Sequence, residues 1–194
     1  MSSPNLVRLG AVGASLVWSI VLYLSGVELP NVAQHAVANL PTAAVLLIVA
    51  FDLWIWKLPG IRNLVGRPRL AGTWATTITP HPGSHIPSGG NRGPIDATTT
   101  IEQTFWTLAI SMSTTESRST SLAAHVERDG ASKKRYQVTY TYRNTPKAAV
   151  RDRSPVHVGA VHLSVDGDEP AQMTASYWTD RLTVGDMEFT RTSN

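Results

Sequence analysis

Histidine side chains are the residues of this sequence best suited to metal binding or acid–base catalysis, and their surroundings argue against both roles. His81 and His85 lie in a Gly/Pro-rich segment that has no cysteine or carboxylate at a spacing typical of a metal site. His125, His157 and His162 have no nucleophile arrangement around them, and no P-loop, GxGxxG or G-x-S-x-G motif occurs. The sequence therefore predicts a protein that is not an enzyme, with no catalytic residue, no metal and no cofactor.

A second set of side chains is suited to the binding of a flat anion. Arginine can hold a phosphate through two parallel hydrogen bonds, and aromatic rings stack on nucleobases at ~1–3 kcal/mol per base. The aromatic residues at positions expected to face the inside of a β structure are Tyr140, Tyr142, Tyr177 and Trp106. The basic residues of the nearby loops are Arg92, Arg118, Lys147, Arg151, Arg153 and Arg181. Core packing of the rings and solvated loop charge are the alternative explanations.

Two apolar stretches near the N-terminus, residues 6–27 and 40–58, predict transmembrane helices. Each is close to the ~20 residues that an apolar helix needs to cross the hydrocarbon core. A secretory signal peptide is the alternative for the first stretch, but its apolar run exceeds the usual ~7–15 residues. Asp52 in the second stretch is either a functional carboxylate within the membrane or, since Lys57 follows it closely, a group near the lipid headgroups.

Basic residues predict the orientation of these spans. The link between them, residues 28–39, carries no Lys or Arg, whereas four basic residues lie at the end of the second span and in the segment after it. These are Lys57, Arg62, Arg67 and Arg69. Because positive residues stay on the cytoplasmic side, we expect both termini and the C-terminal domain to lie in the cytosol. The absence of cysteine agrees with a reducing compartment.

The distribution of charge disfavours binding to DNA or RNA. The chain has a formal net charge of +3, but residues 1–69 carry five basic and two acidic side chains, whereas residues 70–194 carry twelve of each. The excess positive charge therefore belongs to the N-terminal part. A domain that binds long nucleic acid through its phosphates should itself be basic.

From Leu70 onward the sequence reads as short alternating strands, with turn residues at the spacing typical of a sandwich or barrel. The predicted strands are residues 70–79, 97–104, 106–114, 118–128, 134–144, 156–166, 172–179 and 184–192. Residues 97–114 contain no Gly, Pro, Asn or Asp, so a single long bent strand is the alternative there. The predicted domains are a transmembrane anchor (1–58), a juxtamembrane linker (59–69) and a β-barrel (70–192).

Eight antiparallel strands can close into an up-and-down barrel, which leaves no exposed edge. Gly72-Thr73-Trp74 at the start of the first strand and Arg191 at the end of the last resemble the calycin arrangement of lipocalins, in which an Arg packs over a Trp. Such a pair needs an even number of strands. The predicted fold is thus two N-terminal transmembrane α-helices plus an all-β, eight-stranded antiparallel, calycin-like barrel, with Trp74 and Arg191 as structural residues of its floor.

Two motifs and the overall layout resemble a known bacterial family. The motifs are residues 140–146 (YTYRNTP) and 177–185 (YWTDRLTVG), and they follow two N-terminal apolar stretches. This combination is similar to the SMODS-associating two-transmembrane β-strand-rich effectors of CBASS antiphage systems, over nearly the whole chain. The resemblance implies an antiviral effector of the bacterial inner membrane whose cytosolic barrel binds a cyclic dinucleotide made by a cognate nucleotidyltransferase.

The same resemblance implies the consequence of binding and the residues of the site. Ligand would drive self-association, disruption of the inner membrane and death of the infected cell. Gly10 and Ala14 form a small-xxx-small pair that would let helices approach closely during assembly. The candidate ligand-binding residues that the resemblance implies are Tyr140, Tyr142, Tyr177, Thr179, Arg181 and Thr183.

A different binding module fits the same predicted fold. A membrane-tethered, lipocalin-like barrel could hold a lipid or another apolar small molecule, and it would have an apolar lumen. Replacement of Arg181 would then leave ligand affinity unchanged. A scaffold that binds no ligand is the third hypothesis, and it predicts a barrel filled with side chains.

Overall fold

The computed structural model of the chain describes residues 3–26, 31–130 and 134–193. The chain forms two compact units. The helical unit comprises residues 1–58 and 104–106, and the barrel unit comprises residues 59–103 and 107–194. The helical unit contains α1 (Ser3–Ser25), α2 (Asn31–Leu53) and a 3-10 helix (Ile55–Lys57).

The predicted transmembrane spans are wrong. Among the described residues, no helix is long and apolar enough to cross a membrane. For the second span, α2 starts at Asn31 rather than near residue 40. It ends at Leu53, so residues 54–58 lie beyond the helix, with Ile55–Lys57 in the 3-10 helix. The first span overlaps α1, which contains Arg8 and four serines. Residues 27–30, where that span was predicted to end, lie outside the described residues.

Asp52 has a structural role inside the helical unit. It is fully buried, and its Oδ1 accepts the Trp106 N–H at 3.2 Å. Its backbone carbonyl accepts the Trp56 Nε1–H and the Phe105 N–H, each at 3.0 Å. The Phe105 ring packs edge-on against Phe51, with 4.9 Å between ring centroids. Trp106 therefore belongs to the helical unit and is 40% exposed, so the prediction that it faces the inside of the barrel is wrong.

The barrel unit contains the eight antiparallel strands that the sequence predicts. They are β1 (Gly72–Pro80), β2 (Ile95–Gln103), β3 (Leu108–Thr114), β4 (Ser117–Arg128), β5 (Arg135–Pro146), β6 (His157–Asp166), β7 (Gln172–Thr179) and β8 (Val184–Ser193). Each strand pairs with the next, and β8 pairs with β1 to close the barrel. Residues 97–114 form two strands rather than one bent strand. The segment 59–69, predicted as a linker, contains a short helix, α3 (Pro59–Val65).

The alternation of inward-facing and outward-facing residues along the strands determines which side chains fill the barrel. On β5 every second residue from Tyr136 to Pro146 is buried, which matches the period of two of a strand with one face inward. The fully buried side chains packed together in the barrel include Tyr136, Val138, Val161, Leu163, Val165 and Phe189. The buried hydroxyls of Thr76 and Thr99 bond to each other at 2.7 Å. These side chains fill the barrel toward the end at which β1 begins.

Trp74 and Arg191 close that end. The Arg191 guanidinium carbon lies 4.2 Å from the centroid of the fully buried Trp74 ring, and Trp74 Nε1 donates to the Leu70 carbonyl at 3.0 Å. Arg191 also donates three hydrogen bonds of 2.8–3.0 Å to backbone carbonyls. Their acceptors are Arg69, Ala71 and Pro170. Each of its nitrogens is thereby tied to a neighbouring segment of backbone, which fixes the floor of the barrel.

Candidate ligand-binding site

A cavity opens at the end of the barrel opposite Trp74. It is surrounded by the connections that follow β1, β3, β5 and β7, because in an up-and-down barrel these four share one end. Its empty space, including the open mouth, is about 1140 Å³. The deeper part of the barrel is filled by side chains, so the room for a ligand lies at the mouth.

All six residues proposed as ligand contacts line this one cavity. They are Tyr140 and Tyr142 on β5, Tyr177 and Thr179 on β7, and Arg181 and Thr183 in the turn that leads to β8. The structure thus brings together residues from distant parts of the sequence at the open end of the barrel. Their contact with a ligand stays a prediction.

Two glycines make room for two of the tyrosine rings. Gly159 on β6 lies opposite Tyr142, and Gly185 on β8 lies opposite Tyr177. A Cβ on Gly159 would stand 2.6 Å from the Tyr142 hydroxyl oxygen, and one on Gly185 would stand 2.8 Å from Tyr177 Cε1. A glycine inside a strand marks such a close approach, so this signal was present in the sequence.

Substitution of Gly159 by alanine is expected to destabilise the protein and to displace the Tyr142 ring. The new methyl group would also meet the Trp178 carbonyl oxygen at 2.7 Å, and backbone yields less readily than a side chain. Overpacking of this kind costs about 1–3 kcal/mol. Denaturant unfolding of Gly159→Ala measures this cost. Gly130→Ala is the matched control, because no atom of the described residues lies within 4 Å of its Cβ position. Equal stability of the two variants would contradict the prediction.

The three tyrosines present their hydroxyls as hydrogen-bond donors. Burial raises the pKa of Tyr140 and Tyr142 above the ordinary value, and burial, with a smaller effect of Asp186, raises the pKa of Tyr177 to about 12. All three phenols are therefore protonated at neutral pH. None of their hydroxyls bonds to another residue in the part of the chain that the structure describes. Because the three tyrosines line the cavity, their hydroxyls can donate to an acceptor on a ligand.

Arg181 brings a positive charge to the same cavity. Its Nη1 donates to Ser154 Oγ at 3.1 Å, whereas its buried Nε has no hydrogen-bond partner within the described residues. Thr179 shapes the turn around it, because Thr179 Oγ1 accepts the N–H groups of Arg181 (3.3 Å) and Thr183 (3.2 Å). Arg153 also lines the cavity but forms an ion pair with Glu116. Arg181 is thus the better placed of the two arginines to neutralise an anion.

The connection between β1 and β2 forms part of the rim. Ser84 Oγ donates to the Val184 carbonyl at 2.6 Å and accepts the Val184 N–H at 3.0 Å. His85, considered above as a metal ligand, lines the cavity, and its backbone N–H bonds to Leu182 O at 3.1 Å. His81 Nδ1 accepts the N–H of Gly83 at 3.1 Å. The Gly/Pro-rich composition of this connection gave no sign that it would dock on the β7–β8 turn.

Two further polar residues of the cavity wall, Asn144 and His157, were missed as binding residues by sequence reasoning. They are buried, with 9% and 8% exposure, and they lie directly opposite each other on β5 and β6. The alternation of β5 extends to Asn144 and was the available signal for an inward orientation. Nothing in the sequence distinguished an inward polar residue at a barrel mouth from an ordinary polar residue near a strand end.

A closed eight-stranded barrel with one plugged end and one open, donor-rich cavity belongs to the class of β-barrels that have room for one small ligand. Residues 65–191 match the family model described as Cap15, cyclic dinucleotide receptor domain. The chain therefore belongs to this family. It is also 26% identical to the CD-NTase-associated protein 15 of Staphylococcus schleiferi over 146 residues, which are 75% of this chain and 73% of that protein. The resemblance to CBASS effectors that the sequence motifs indicated is confirmed.

Proposed function

We propose that the cavity at the open end of the barrel binds a cyclic dinucleotide made by a cognate nucleotidyltransferase. One observation carries this proposal. Three protonated tyrosine hydroxyls and the Arg181 guanidinium meet in one cavity, and the described residues offer the hydroxyls and the buried Arg181 Nε no acceptor. Membership of the cyclic dinucleotide receptor family independently supports the same ligand class.

The chemistry of a cyclic dinucleotide fits these groups. Its two phosphodiesters are anions, and its two bases are flat rings with polar edges. Arg181 has donors in the fork geometry that suits phosphate oxygens, and charge-assisted bonds of this kind are about twice as strong as neutral ones. The Tyr140 and Tyr142 rings, with centroids 6.3 Å apart, offer surfaces for base stacking, and the Thr183 side chain adds a hydroxyl to the same wall.

A lipid is less well matched to this cavity. An apolar chain at the mouth would remove Arg181, Asn144 and His157 from water without supplying hydrogen bonds in return, which is costly. A ligandless scaffold also fits poorly, because the barrel is filled at its floor but open at its mouth. The cyclic dinucleotide is therefore the ligand that we propose.

We further propose that ligand binding drives self-association of the protein and that the assembled protein acts from the cytosol to disrupt the inner membrane of an infected bacterium. A ligand can favour assembly only through a higher affinity for the assembled state. The turn that contains Arg181 and the rim connection around Ser84 are held together by hydrogen bonds to Val184, so a ligand at Arg181 would act on both. In this proposal the protein is a receptor and effector rather than an enzyme, and it uses no metal or cofactor.

Thermal unfolding of the full-length protein with added cyclic di-AMP, cyclic di-GMP, cyclic di-UMP and cyclic GMP–AMP tests the proposal. At a concentration a hundred times its dissociation constant, the true ligand class should stabilise the protein by about 2.7 kcal/mol, or several degrees. The linear dinucleotide pApA is the control for non-specific anion binding. Stabilisation by a fatty acid but by no cyclic dinucleotide would contradict the proposal and favour the lipid hypothesis.

A further inference from the structure

Asn144 and His157 form a polar pair inside the mouth of the barrel. They are register partners on β5 and β6, and the Cβ atoms of directly opposed residues lie about 5 Å apart. Both side chains line the cavity, and Tyr142 lies beside them on the same face of β5. A ligand that reaches Tyr142 therefore also reaches this pair.

The hydrogen-bonding state of His157 follows from its backbone contact. Its Nδ1 lies 3.0 Å from the Pro155 carbonyl oxygen, which can only accept, so Nδ1 carries the proton. Burial lowers the pKa of His157 despite this hydrogen bond, and the positive charge of Arg181 lowers it further. The neutral ring then presents Nε2 as a hydrogen-bond acceptor. Nε2 has no partner among residues 3–26, 31–130 and 134–193.

Asn144 is largely buried in the cavity wall, with 9% of the residue exposed. Neither the oxygen nor the nitrogen of its side-chain amide bonds to another residue of the described chain. Because Asn144 lines the cavity, its amide is open to a partner that a ligand supplies. Together the pair offers two acceptors, Asn144 Oδ1 and His157 Nε2, and one donor group, Asn144 Nδ2.

We infer that Asn144 and His157 read the edge of one base of the ligand and select a base that carries an exocyclic amino group. This inference rests on the proposed function. The Asn144 amide pairs with an acceptor and an adjacent N–H on the base, and His157 Nε2 accepts a second N–H. Adenine, cytosine and guanine each offer an acceptor and two N–H donors on one edge. Uracil and hypoxanthine offer a single N–H, so that in the complex one of the two acceptors faces a carbonyl oxygen or a C–H group.

The test compares cyclic di-AMP and cyclic di-GMP with cyclic di-IMP and cyclic di-UMP, by isothermal titration calorimetry on the full-length protein. Hypoxanthine differs from guanine only by the missing 2-amino group. From adenine it differs by a carbonyl in place of the 6-amino group and by an N–H in place of the N1 acceptor. At least one amino-bearing ligand should bind roughly 5- to 100-fold more tightly than cyclic di-IMP and cyclic di-UMP, as expected for a bidentate contact with a base. Asn144→Leu and His157→Phe should reduce this preference to less than about 3-fold.

His162→Phe is the matched control, since it makes the same change on the outer face of β6, where His162 contacts the Thr139 hydroxyl at 3.3 Å. It should keep the wild-type preference. Tighter or equal binding of cyclic di-IMP or cyclic di-UMP to the wild-type protein would overturn the inference while the proposed function stands. If no cyclic dinucleotide binds, both the proposed function and this inference are wrong. The wild-type comparison decides the matter even where a variant does not fold.

Discussion

Replacement of Arg181 by alanine is expected to weaken the binding of a cyclic dinucleotide by about 100-fold or more. A bidentate, charge-assisted contact with a phosphate contributes about 3 kcal/mol, since each hydrogen bond to a charged group is worth about 1.5–3 kcal/mol and the two are not fully additive. The loss should appear as a higher dissociation constant for the best-binding cyclic dinucleotide in isothermal titration calorimetry of the full-length protein.

The unliganded fold should tolerate this substitution. The Arg181 side chain makes a single hydrogen bond, to Ser154, among the described residues, and its buried Nε has no partner there. Removal of the guanidinium therefore takes away an unsatisfied polar group as well as one contact. We expect the melting temperature of Arg181→Ala without ligand to lie within a few degrees of that of the wild-type protein.

Two further variants separate charge from geometry. Arg143→Ala removes the same charge from an exposed position on β5 that does not line the cavity, and it should leave affinity within about 2-fold, because an exposed charge is screened by water and salt. Arg181→Lys keeps the charge but loses the planar fork, so its affinity should fall between those of the wild type and Arg181→Ala. Wild-type affinity in Arg181→Ala would contradict the proposed phosphate contact and leave the lipid hypothesis as the better account.

The barrel could be predicted from the sequence because the alternation of apolar and polar residues in a strand shows which side chains face inward. Tyr136, Val138, Tyr140 and Tyr142 alternate with polar residues, and burial follows this period in the structure. Trp74 lies at the start of β1 and Arg191 near the end of β8. A contact between them requires a closed barrel with an even number of strands. The alternation is a local signal, and it does not depend on the exact strand boundaries. The Trp74–Arg191 pair links the first strand to the last.

The helices were harder to place because hydropathy does not locate helix ends. Residues 54–58 are mostly apolar, so a hydropathy window includes them, yet the helix ends at Leu53. In the last turn of the helix, the Asp52 carbonyl accepts hydrogen bonds from Trp56 and Phe105, and the Asp52 carboxylate accepts one from Trp106. Phe105 and Trp106 are more than fifty residues away in sequence. A contact between residues so far apart cannot be predicted from the local hydropathy pattern.

The residues of the candidate site could be predicted from the sequence only in part, and their contact with a ligand stays a prediction. The resemblance supplied six residues that lie around one cavity, although they come from β5, β7 and the turn before β8. The contact between Ser84 and Val184, a hundred residues apart, and the pairing of Asn144 with His157 depend on closure of the barrel. Such residues become recognisable only when the strands have been placed in register.

Replacement of Arg191 by alanine is expected to lower the free energy of unfolding by about 4 kcal/mol. The substitution removes three hydrogen bonds from a charged donor and the contact with the Trp74 ring. Hydrogen bonds to charged groups contribute about 1.5–3 kcal/mol each and a partly buried cation–π contact about 1 kcal/mol, with less than full additivity. The melting temperature of the full-length protein should fall by about 10 °C.

The reason for so large an effect is that Arg191 joins separate segments of the chain. Its three acceptors precede β1 (Arg69 and Ala71) and β7 (Pro170), while Arg191 itself lies on β8. Without the guanidinium, three carbonyls lose a donor at the end where the barrel is most tightly filled. Arg135→Ala is the control at the same end, because its ion pair with Asp166 is exposed to solvent, and we expect no measurable change in stability.

Ligand affinity distinguishes this structural role from a role in binding. The Trp74–Arg191 pair closes the end of the barrel opposite the cavity. At a low temperature, where the Arg191→Ala variant remains folded, its dissociation constant for the cyclic dinucleotide should therefore be within about 3-fold of the wild-type value. Arg181→Ala should show the reverse pattern, with stability kept and affinity lost. The assignment of Trp74 and Arg191 to a structural floor would be wrong in either of two cases. In the first, Arg191→Ala has the same melting temperature as the wild-type protein; in the second, it loses ligand affinity without losing stability.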